Sequence, residues 1–448
     1  MLGRKLVRSL GNIRDRHNKI VILGGGAGGI TLAGKLTSGS TKILEPAQVS
    51  IIDGSTLHHY KPGWTLYAAE EIPRRMIQTD LKSVIPTGAN FVNQYVERIE
   101  PDKNTIVLKD GSKHTYDHLV ITTGIQFNWE KVKGLKEALA DPNRDVCSVY
   151  DWHSHEKMRA LRHKKYEHTV FTQPASPITC GGAPQKVVYL TQEAWKKHGW
   201  KPEIKFIQGT PSLFAVPFYA EKLETLIKEK GIINLRNLDL IEVTPSNKAV
   251  FRHTQTKELH EHAFDYLHAV PPMSGKDYVK GSGLADDSNY VIVDKNNFRN
   301  PKYPNVWAIG DGAALPTSRT MSAVIEQAHI LECNLREVLK GGKPTHNYDG
   351  YTACPILVGD RKVLLAEFKY DNVICGSFAR DQRTPSRFAF FLKKYVFPFA
   401  ALNLMKNNIW KGRRTLWNPP QEDHSAFQKE AEAKAREERL KKESETKK

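Results

Sequence analysis

Cysteine is scarce: five residues in 448, none in a C-x-x-C pair. That argues against a disulfide scaffold and a clustered zinc site, and no metal is expected. Long apolar runs are missing too. No window holds 18 consecutive apolar residues, so no simple membrane-spanning helix is expected. Helix-turn-helix, zinc-finger and RNA-binding motifs are absent. The net charge of +17 therefore predicts no nucleic-acid partner, and leaves an anionic membrane or an ordinary solvated basic surface. Acids are nearly missing from the start of the chain. Arg4, Lys5, Arg8, Arg14 and Arg16 face only Asp15, while Leu2, Leu6, Leu10 and Ile13 share one helical face. Residues 1–17 read as a mitochondrial presequence, with a basic disordered terminus as the competing reading.

What is present is organised around residues 19–29. Residues 20–23 are a continuous apolar run, the mark of a strand buried on both faces of a parallel sheet. Gly24, Gly26 and Gly29 then form a G-x-G-x-x-G, and residues 30–36 continue as a helix. The first glycine permits a tight turn, the second admits a pyrophosphate close to backbone N–H groups, and the third packs helix on strand. The helix N-terminus holds the phosphate charge. An acid should close the second strand about 20 residues later, and Asp53 ends the run 49–53. Glycines alone would mark only a turn; strand, helix, strand and acid together predict a dinucleotide site.

Further along, residues 91–99 read as a strand, 104–116 as a hairpin turning at Asp110-Gly111, and 117–124 as a buried strand ending in Thr122, Thr123 and Gly124. A second section begins near residue 129. It holds strands at 168–172 and 203–208, helices at 184–198 and 220–230, and strands at 238–243, 248–253 and 264–270. Residues 306–311 then form a strand with Gly310-Asp311 at its tip, followed by a helix at 321–340. Paired with the N-terminal fingerprint, this resembles the second signature of two-domain flavoprotein reductases. The resemblance implies FAD as the bound cofactor, with Asp311 at the ribityl chain and the helix start facing the flavin pyrimidine ring.

Reductases of that kind that oxidise NADH carry a second glycine fingerprint after the first strand of the second section. This chain has none, and Gln208 stands where an acid would hold a ribose. The loop instead carries Cys180, followed by Gly181 and Gly182. Pro184 suits the first turn of a helix. A helix N-terminus and nearby Lys186 both favour thiolate over thiol. An inert buried cysteine is the competing reading.

At this point the chain resembles the mitochondrial type of sulfide:quinone oxidoreductase. The resemblance is carried by Gly24-Gly-Gly-Ala-Gly-Gly-Ile30, His59-Tyr-Lys-Pro-Gly-Trp-Thr-Leu66, Cys180-Gly-Gly-Ala-Pro-Gln-Lys186, Pro271-Pro-Met-Ser274, Ile309-Gly-Asp311, Leu315-Pro-Thr-Ser318 and Tyr348-Asp-Gly-Tyr-Thr-Ala-Cys-Pro355. It implies Cys180 and Cys354 as the redox pair, with Cys354, placed before Pro355, on an extended strand edge exposed to the cleft. For FAD it implies Gly24, Gly26, Ala27, Gly28 and Gly29 at the pyrophosphate turn and Asp53 at the adenosine ribose. Lys61 follows the aromatic loop, Val96 lies at the adenine, and Thr123 and Gly124 close a strand end. Asp311 and the helix start Met321, Ser322, Ala323 and Val324 complete the set. Cys147, Cys333 and Cys375 are taken as structural. The implied activity is oxidation of hydrogen sulfide to sulfane sulfur. A persulfide is passed to glutathione or sulfite, and two electrons pass through FAD to ubiquinone.

The expected fold is α/β, with two Rossmann-like dinucleotide-binding domains of the FAD/NAD(P)-reductase type and a C-terminal membrane-associating segment. Residues 18–128 and 290–345 make the FAD domain, and 129–289 a second Rossmann-like domain without a fingerprint. Residues 346–420 hold Cys354, a hairpin turning at Gly359-Asp360 and the membrane segment. Residues 421–448 form a charged tail. In 387–405 clustered aromatics are interrupted by Lys393 and Lys394 and broken at Pro398, with Lys406 and Lys411 beyond. This reads as a helix pair lying in the membrane interface, peripheral to the mitochondrial inner membrane; a core hairpin or dimer contact competes. Three other activities stay open: a type II NADH:quinone dehydrogenase, a flavocytochrome-type sulfide dehydrogenase, and a non-catalytic flavin sensor.

Overall fold

The computed structural model describes residues 15–38, 44–378 and 381–415. The presequence expectation for residues 1–14, the insertion at 39–43 and the charged tail at 421–448 lie outside them. Residues 15–17 already belong to a strand, Asp15–Leu23.

That strand is the centre of a seven-stranded sheet. Its order is Ala89–Val92, Val49–Ile52, Asp15–Leu23, Lys113–Ile121, Thr105–Leu108, Val96–Glu100, with Val306–Ala308 also paired to Lys113–Ile121. Ile20, Val21, Ile22 and Leu23 are fully buried, which is why the run carries no polar alternation. Parallel pairing aligns Leu23 with Ile52 on one side and Ile121 on the other. Three strand ends, Asp53 and the glycine turn therefore meet at one edge of the sheet, where ligands of open α/β sheets bind.

Two expected strands are corrected here. Residues 91–99 are not one strand but two, Ala89–Val92 and Val96–Glu100. Between them Asn93 Nδ2 donates to the carbonyls of Asp53 and Ser55, both at 2.9 Å, and this diverts the chain across the sheet. The hairpin return and the buried strand at 117–124 are one element, Lys113–Ile121. Its first half pairs antiparallel with Thr105–Val107 and its last three residues pair parallel with Val306–Ala308.

The second section builds a parallel sheet ordered Val146–Cys147, Tyr266–His268, His168–Gln173, Glu203–Gln208, Ile233–Leu235. Beside it stands an antiparallel sheet of Leu238–Val243, Lys248–His253 and Leu259–Ala263. The strand Leu259–Ala263 has no apolar signal because it is largely exposed. The expected helices are Ala183–Lys197 and Pro217–Glu229, and two shorter ones, Leu135–Ala140 and Ser154–Leu161, precede them. A hairpin, Thr352–Gly359 with Lys362–Phe368, turns through left-handed Asp360 and Arg361.

The tail is also corrected. Residues Arg387–Asn407 form one 21-residue helix, not a pair broken at Pro398. Wide π-type turns at Leu392–Val396 and Ala400–Leu404 flank the proline, and such turns relieve the clash a proline makes with the preceding turn. By length and composition this helix could cross a membrane, and most of its apolar stretch is not buried within the protein. Counting unbroken apolar runs missed it because Lys393 and Lys394 interrupt the run.

Glycine is required where helix meets strand. A Cβ on Gly29 would lie 1.9 Å from the Gly24 carbonyl oxygen, a backbone clash that nothing flexible can relieve. Gly29→Ala is expected to cost about 3 kcal/mol or more, read as a lower Tm in thermal unfolding together with loss of flavin absorbance.

Candidate active site

The glycine turn has the features a pyrophosphate needs. Gly24 takes a left-handed φ of +103°, and a Cβ there would press to 2.8 Å on the Thr122 carbonyl. A Cβ on Gly26, by contrast, would meet nothing within 4 Å. The helix that follows, Ala27–Thr37, starts at Gly26 with no side-chain cap, so no cap side chain takes its first N–H groups. Gly28 packs on Val324 and Thr122. Asp53 is held at the next strand end, its Oδ2 accepting from Gly25 N at 2.7 Å and its Oδ1 from Ser55 N at 2.8 Å. The glycine turn and uncapped helix start fit the diphosphate of FAD, and Asp53 stands beside them at the next strand end.

The strand ends at 121 and 308 converge beside it. Thr122 Oγ1 donates to the carbonyls of Leu23 and Gly24, and Thr123 and Gly124 continue from there. Gly312 sits so close that a Cβ on it would be 2.6 Å from the Gly124 carbonyl oxygen. Asp311 stands next to it and accepts from Thr179 Oγ1 at 2.7 Å. The helix Met321–Leu339 begins with Thr320 capping Ala323 N. Ser322 is committed elsewhere: its Oγ donates to the Ala353 carbonyl and accepts from Ala353 N, both at 2.9 Å. Its hydroxyl thus fastens the helix start to the strand of Cys354, leaving backbone N–H groups as what this end offers a ligand. Lys61 is exposed and lies 5.9 Å from the Trp64 ring centroid and 5.8 Å from that of Phe127. Val96 opens the strand Val96–Glu100 at the far edge of the sheet.

Cys180 and Cys354, 174 residues apart in sequence, stand with sulfurs 3.6 Å apart. Cys180 ends the loop leading into the helix Ala183–Lys197, with a left-handed φ of 52°. Cys354 lies on the strand Thr352–Gly359 and is 1% exposed. The expected exposed strand edge is thus corrected, because the helix Ala183–Lys197 packs over that strand. Gly182 makes room: a Cβ there would lie 2.9 Å from Cys354 Sγ. Lys186 Nζ donates to Cys180 Sγ at 3.0 Å. The thiol of Cys354 donating to Cys180, with the Lys186 ammonium beside it, holds the Cys180 pKa well below the usual thiol range. The same hydrogen bond and burial push Cys354 well above it. Burial works to strip the proton from Lys186, but the cysteine charge outweighs it and its pKa is raised.

Reasoning from sequence missed several neighbours. Lys393, assigned to the membrane surface, is 2% exposed and donates to the Pro62 carbonyl at 3.1 Å. Burial, then the charge of Lys186, lowers its pKa to about 7. Lys394 pairs with Glu71 at 2.7 Å and Lys406 donates to the Ser83 carbonyl at 2.8 Å. These lysines bind protein; a cation spaced inside an aromatic run was the available signal, and it pointed inward. Tyr150, Thr179 and Arg319, which grip the cysteine loop, carried no motif. In the second section, Ala175 N, the type of donor a nicotinamide dinucleotide would use, is taken by Asp239 at 2.6 Å, and Gln208 is fully buried.

Burial lifts the other thiols, Cys147 to about 12, Cys333 to about 11 and Cys375 to about 12. His329, Glu332 and Cys333 bring ligand atoms within 4.8 Å of one another. Arg336 Nε already takes Glu332 at 3.1 Å, and no metal role is assigned to them.

The chain has clear relatives. The family of pyridine nucleotide-disulphide oxidoreductases matches residues 18–330. A Dictyostelium discoideum protein named a mitochondrial sulfide:quinone oxidoreductase is 39% identical over 93% of this chain and 91% of its own length. A Mus musculus protein of the same name is 37% identical, covering 88% of each. The solved sulfide:quinone oxidoreductase of Aquifex aeolicus shares the fold, with a TM-score of 0.72 at 21% identity over 88% of this chain and 93% of that one.

At pH 7 the reduced protein should therefore react with iodoacetamide first at Cys180. Cys147, Cys333 and Cys375 should stay unlabelled until strongly alkaline pH, because a lowered pKa keeps thiolate populated as pH falls and a raised one withholds it. Peptide mass spectrometry over a pH series reads this directly.

Proposed function

The chain belongs to the sulfide:quinone oxidoreductase family, and from that premise we propose that Cys180 and Cys354 are its redox pair. It is an FAD-dependent enzyme that oxidises hydrogen sulfide and reduces a quinone. Bound FAD supplies the two-electron acceptor between the cysteines and the quinone. The observation that carries the residue assignment is the 3.6 Å approach of two sulfurs with opposite acidity.

That asymmetry sets the direction of attack. Hydrosulfide adds to the Cys354 sulfur of the oxidised pair, the bond between the two cysteines breaks, and Cys180 leaves as thiolate. A low-pKa thiol is the better leaving group. Cys354 is left carrying the added sulfur as a persulfide, with Lys186 Nζ holding the Cys180 charge. A thiolate such as glutathione's, or sulfite, then removes that sulfur and restores the Cys354 thiol. The buried Lys186 ammonium, whose charge the neighbouring thiolate sustains, favours such an anionic acceptor. Re-forming the cysteine bond from the Cys354 thiol and the Cys180 thiolate releases two electrons and one proton, and two electrons is what a quinone takes.

The tail supplies the quinone side. Phe388, Phe391, Tyr395 and Phe399 are each about half exposed and recur at helical spacing along one face. That face suits the lipid interface of the mitochondrial inner membrane, with the protein bound peripherally. Its attraction is apolar, since Lys393, Lys394 and Lys406 are spent on protein partners.

Cys180→Ser and Cys354→Ser should each lower sulfide-driven quinone reduction by at least about a hundredfold, and the double variant should be little worse, because members of one unit are non-additive. A double variant far worse than either single one would break the pairing. Replacing Phe388, Phe391 and Phe399 with Gln should release the protein from liposomes and abolish reduction of a long-tailed quinone, while sulfide still bleaches the flavin. Unchanged liposome binding would exclude the interface reading.

A further inference from the structure

The two cysteines meet only because the loop before Cys180 is held in a conformation it would not choose alone. Cys180 has a φ of 52°, a left-handed backbone that costs energy for any residue with a Cβ and persists only where the surroundings impose it. The imposing contacts gather on the preceding residue. Thr179 N donates to Met273 Sδ at 3.3 Å, its carbonyl accepts from Tyr150 OH at 2.8 Å, and its hydroxyl donates to Asp311 Oδ2 at 2.7 Å. Cys180 N donates to the Arg319 carbonyl at 2.8 Å. Arg319 in turn donates from Nε to the Asp311 carbonyl at 3.0 Å and stacks 4.2 Å from the Tyr290 ring centroid.

Asp311 is thus held to the cysteine loop directly, through its side chain by Thr179, and indirectly, through its carbonyl by Arg319, whose own carbonyl accepts from Cys180 N. It also stands at the strand tip where the ribityl chain of FAD is expected. One carboxylate oxygen takes Thr179, and Oδ1 is left for a ligand. Of these grips, the Thr179 hydroxyl is the one a side chain makes directly between the cysteine loop and the cofactor side of the cleft.

We propose that Thr179 is a positioning residue for sulfide oxidation: its hydroxyl locks the Cys180 loop to Asp311, so that the sulfur is presented to Cys354, Lys186 and the flavin together. This rests on the redox-pair reading above. Thr179 itself exchanges no electrons or protons with substrate. Losing its hydroxyl frees the left-handed turn to relax, and the Cys180 sulfur then drifts from the partners that keep it a thiolate.

The test compares T179V, which keeps the shape and removes the hydroxyl, with T179S, which keeps the hydroxyl, in flavin-loaded reduced enzyme. Two readouts are followed: the pH profile of Cys180 alkylation by iodoacetamide, located by mass spectrometry, and long-wavelength thiolate-to-flavin absorbance. T179V should lower Cys180 alkylation at pH 7 by about tenfold, moving its profile to higher pH, and should lose most of the long-wavelength absorbance. T179S should restore both to within about twofold of wild type. Wild-type behaviour in T179V overturns the proposal, and so does an equal loss in T179S, which would mark a steric role. Should T179V fail to retain flavin, Tyr150→Phe, which frees the Thr179 carbonyl, must move the alkylation profile in the same direction; an unmoved profile overturns it. C180S serves as the control for the underlying reading. If C180S still bleaches with sulfide, the redox pair itself fails and the positioning role falls with it. If C180S is inert and T179V is normal, only the positioning role falls.

Discussion

A thiolate at Cys180 sits 3.0 Å from the Lys186 ammonium and 3.6 Å from the Cys354 thiol, in surroundings where burial opposes charge of either sign. A buried charge is tolerable only when paired and hydrogen-bonded, and here each partner comes from a different part of the chain. Lys186 comes from the helix Ala183–Lys197, Cys354 from the hairpin strand, and Lys393 approaches from the tail helix. The shared apolar core of these three elements is what brings the partners together. Gly182 has no Cβ because one would collide with the Cys354 sulfur. Cys354 is buried because the cysteine helix covers its strand.

The same packing joins the halves of the reaction. Ser322 ties the start of the helix Met321–Leu339 to Ala353, next to Cys354. Asp311 ties the FAD-side strand tip to Thr179, next to Cys180. Each cysteine is thereby anchored through its neighbour to the wall expected to hold the flavin. The tail helix extends this outward. Its inner face buries Lys393 and its outer face presents aromatic rings, so one element reaches from the core that holds the cysteines to the surface proposed for lipid.

Much of this was legible in residue order. The buried run at 20–23, the three glycines and Asp53 could be read directly, because a parallel strand and a phosphate turn impose local rules on few residue types. Cys180 stood out by its setting of glycines, Pro184 and Lys186. The strand 259–263 was hidden because an exposed edge needs no apolar alternation. The break after Val92 was hidden because it depends on Asn93 reaching two carbonyls across a turn. In the tail a proline and two lysines have the local pattern of interruptions, whereas wide turns absorb the one and protein partners absorb the others.

Sequence by itself determined the FAD-type α/β scaffold, the missing second nucleotide fingerprint, and two cysteines in settings unlike the other three. These are properties of short segments, set by backbone sterics and by charge within a helical turn. Only tertiary structure decided that the two cysteines are neighbours, that one is acidic and the other not, that Lys393 points inward, and that Thr179 holds the loop. Those facts depend on distances between segments hundreds of residues apart, and on how far burial raises the energy of a charge, which no local pattern encodes.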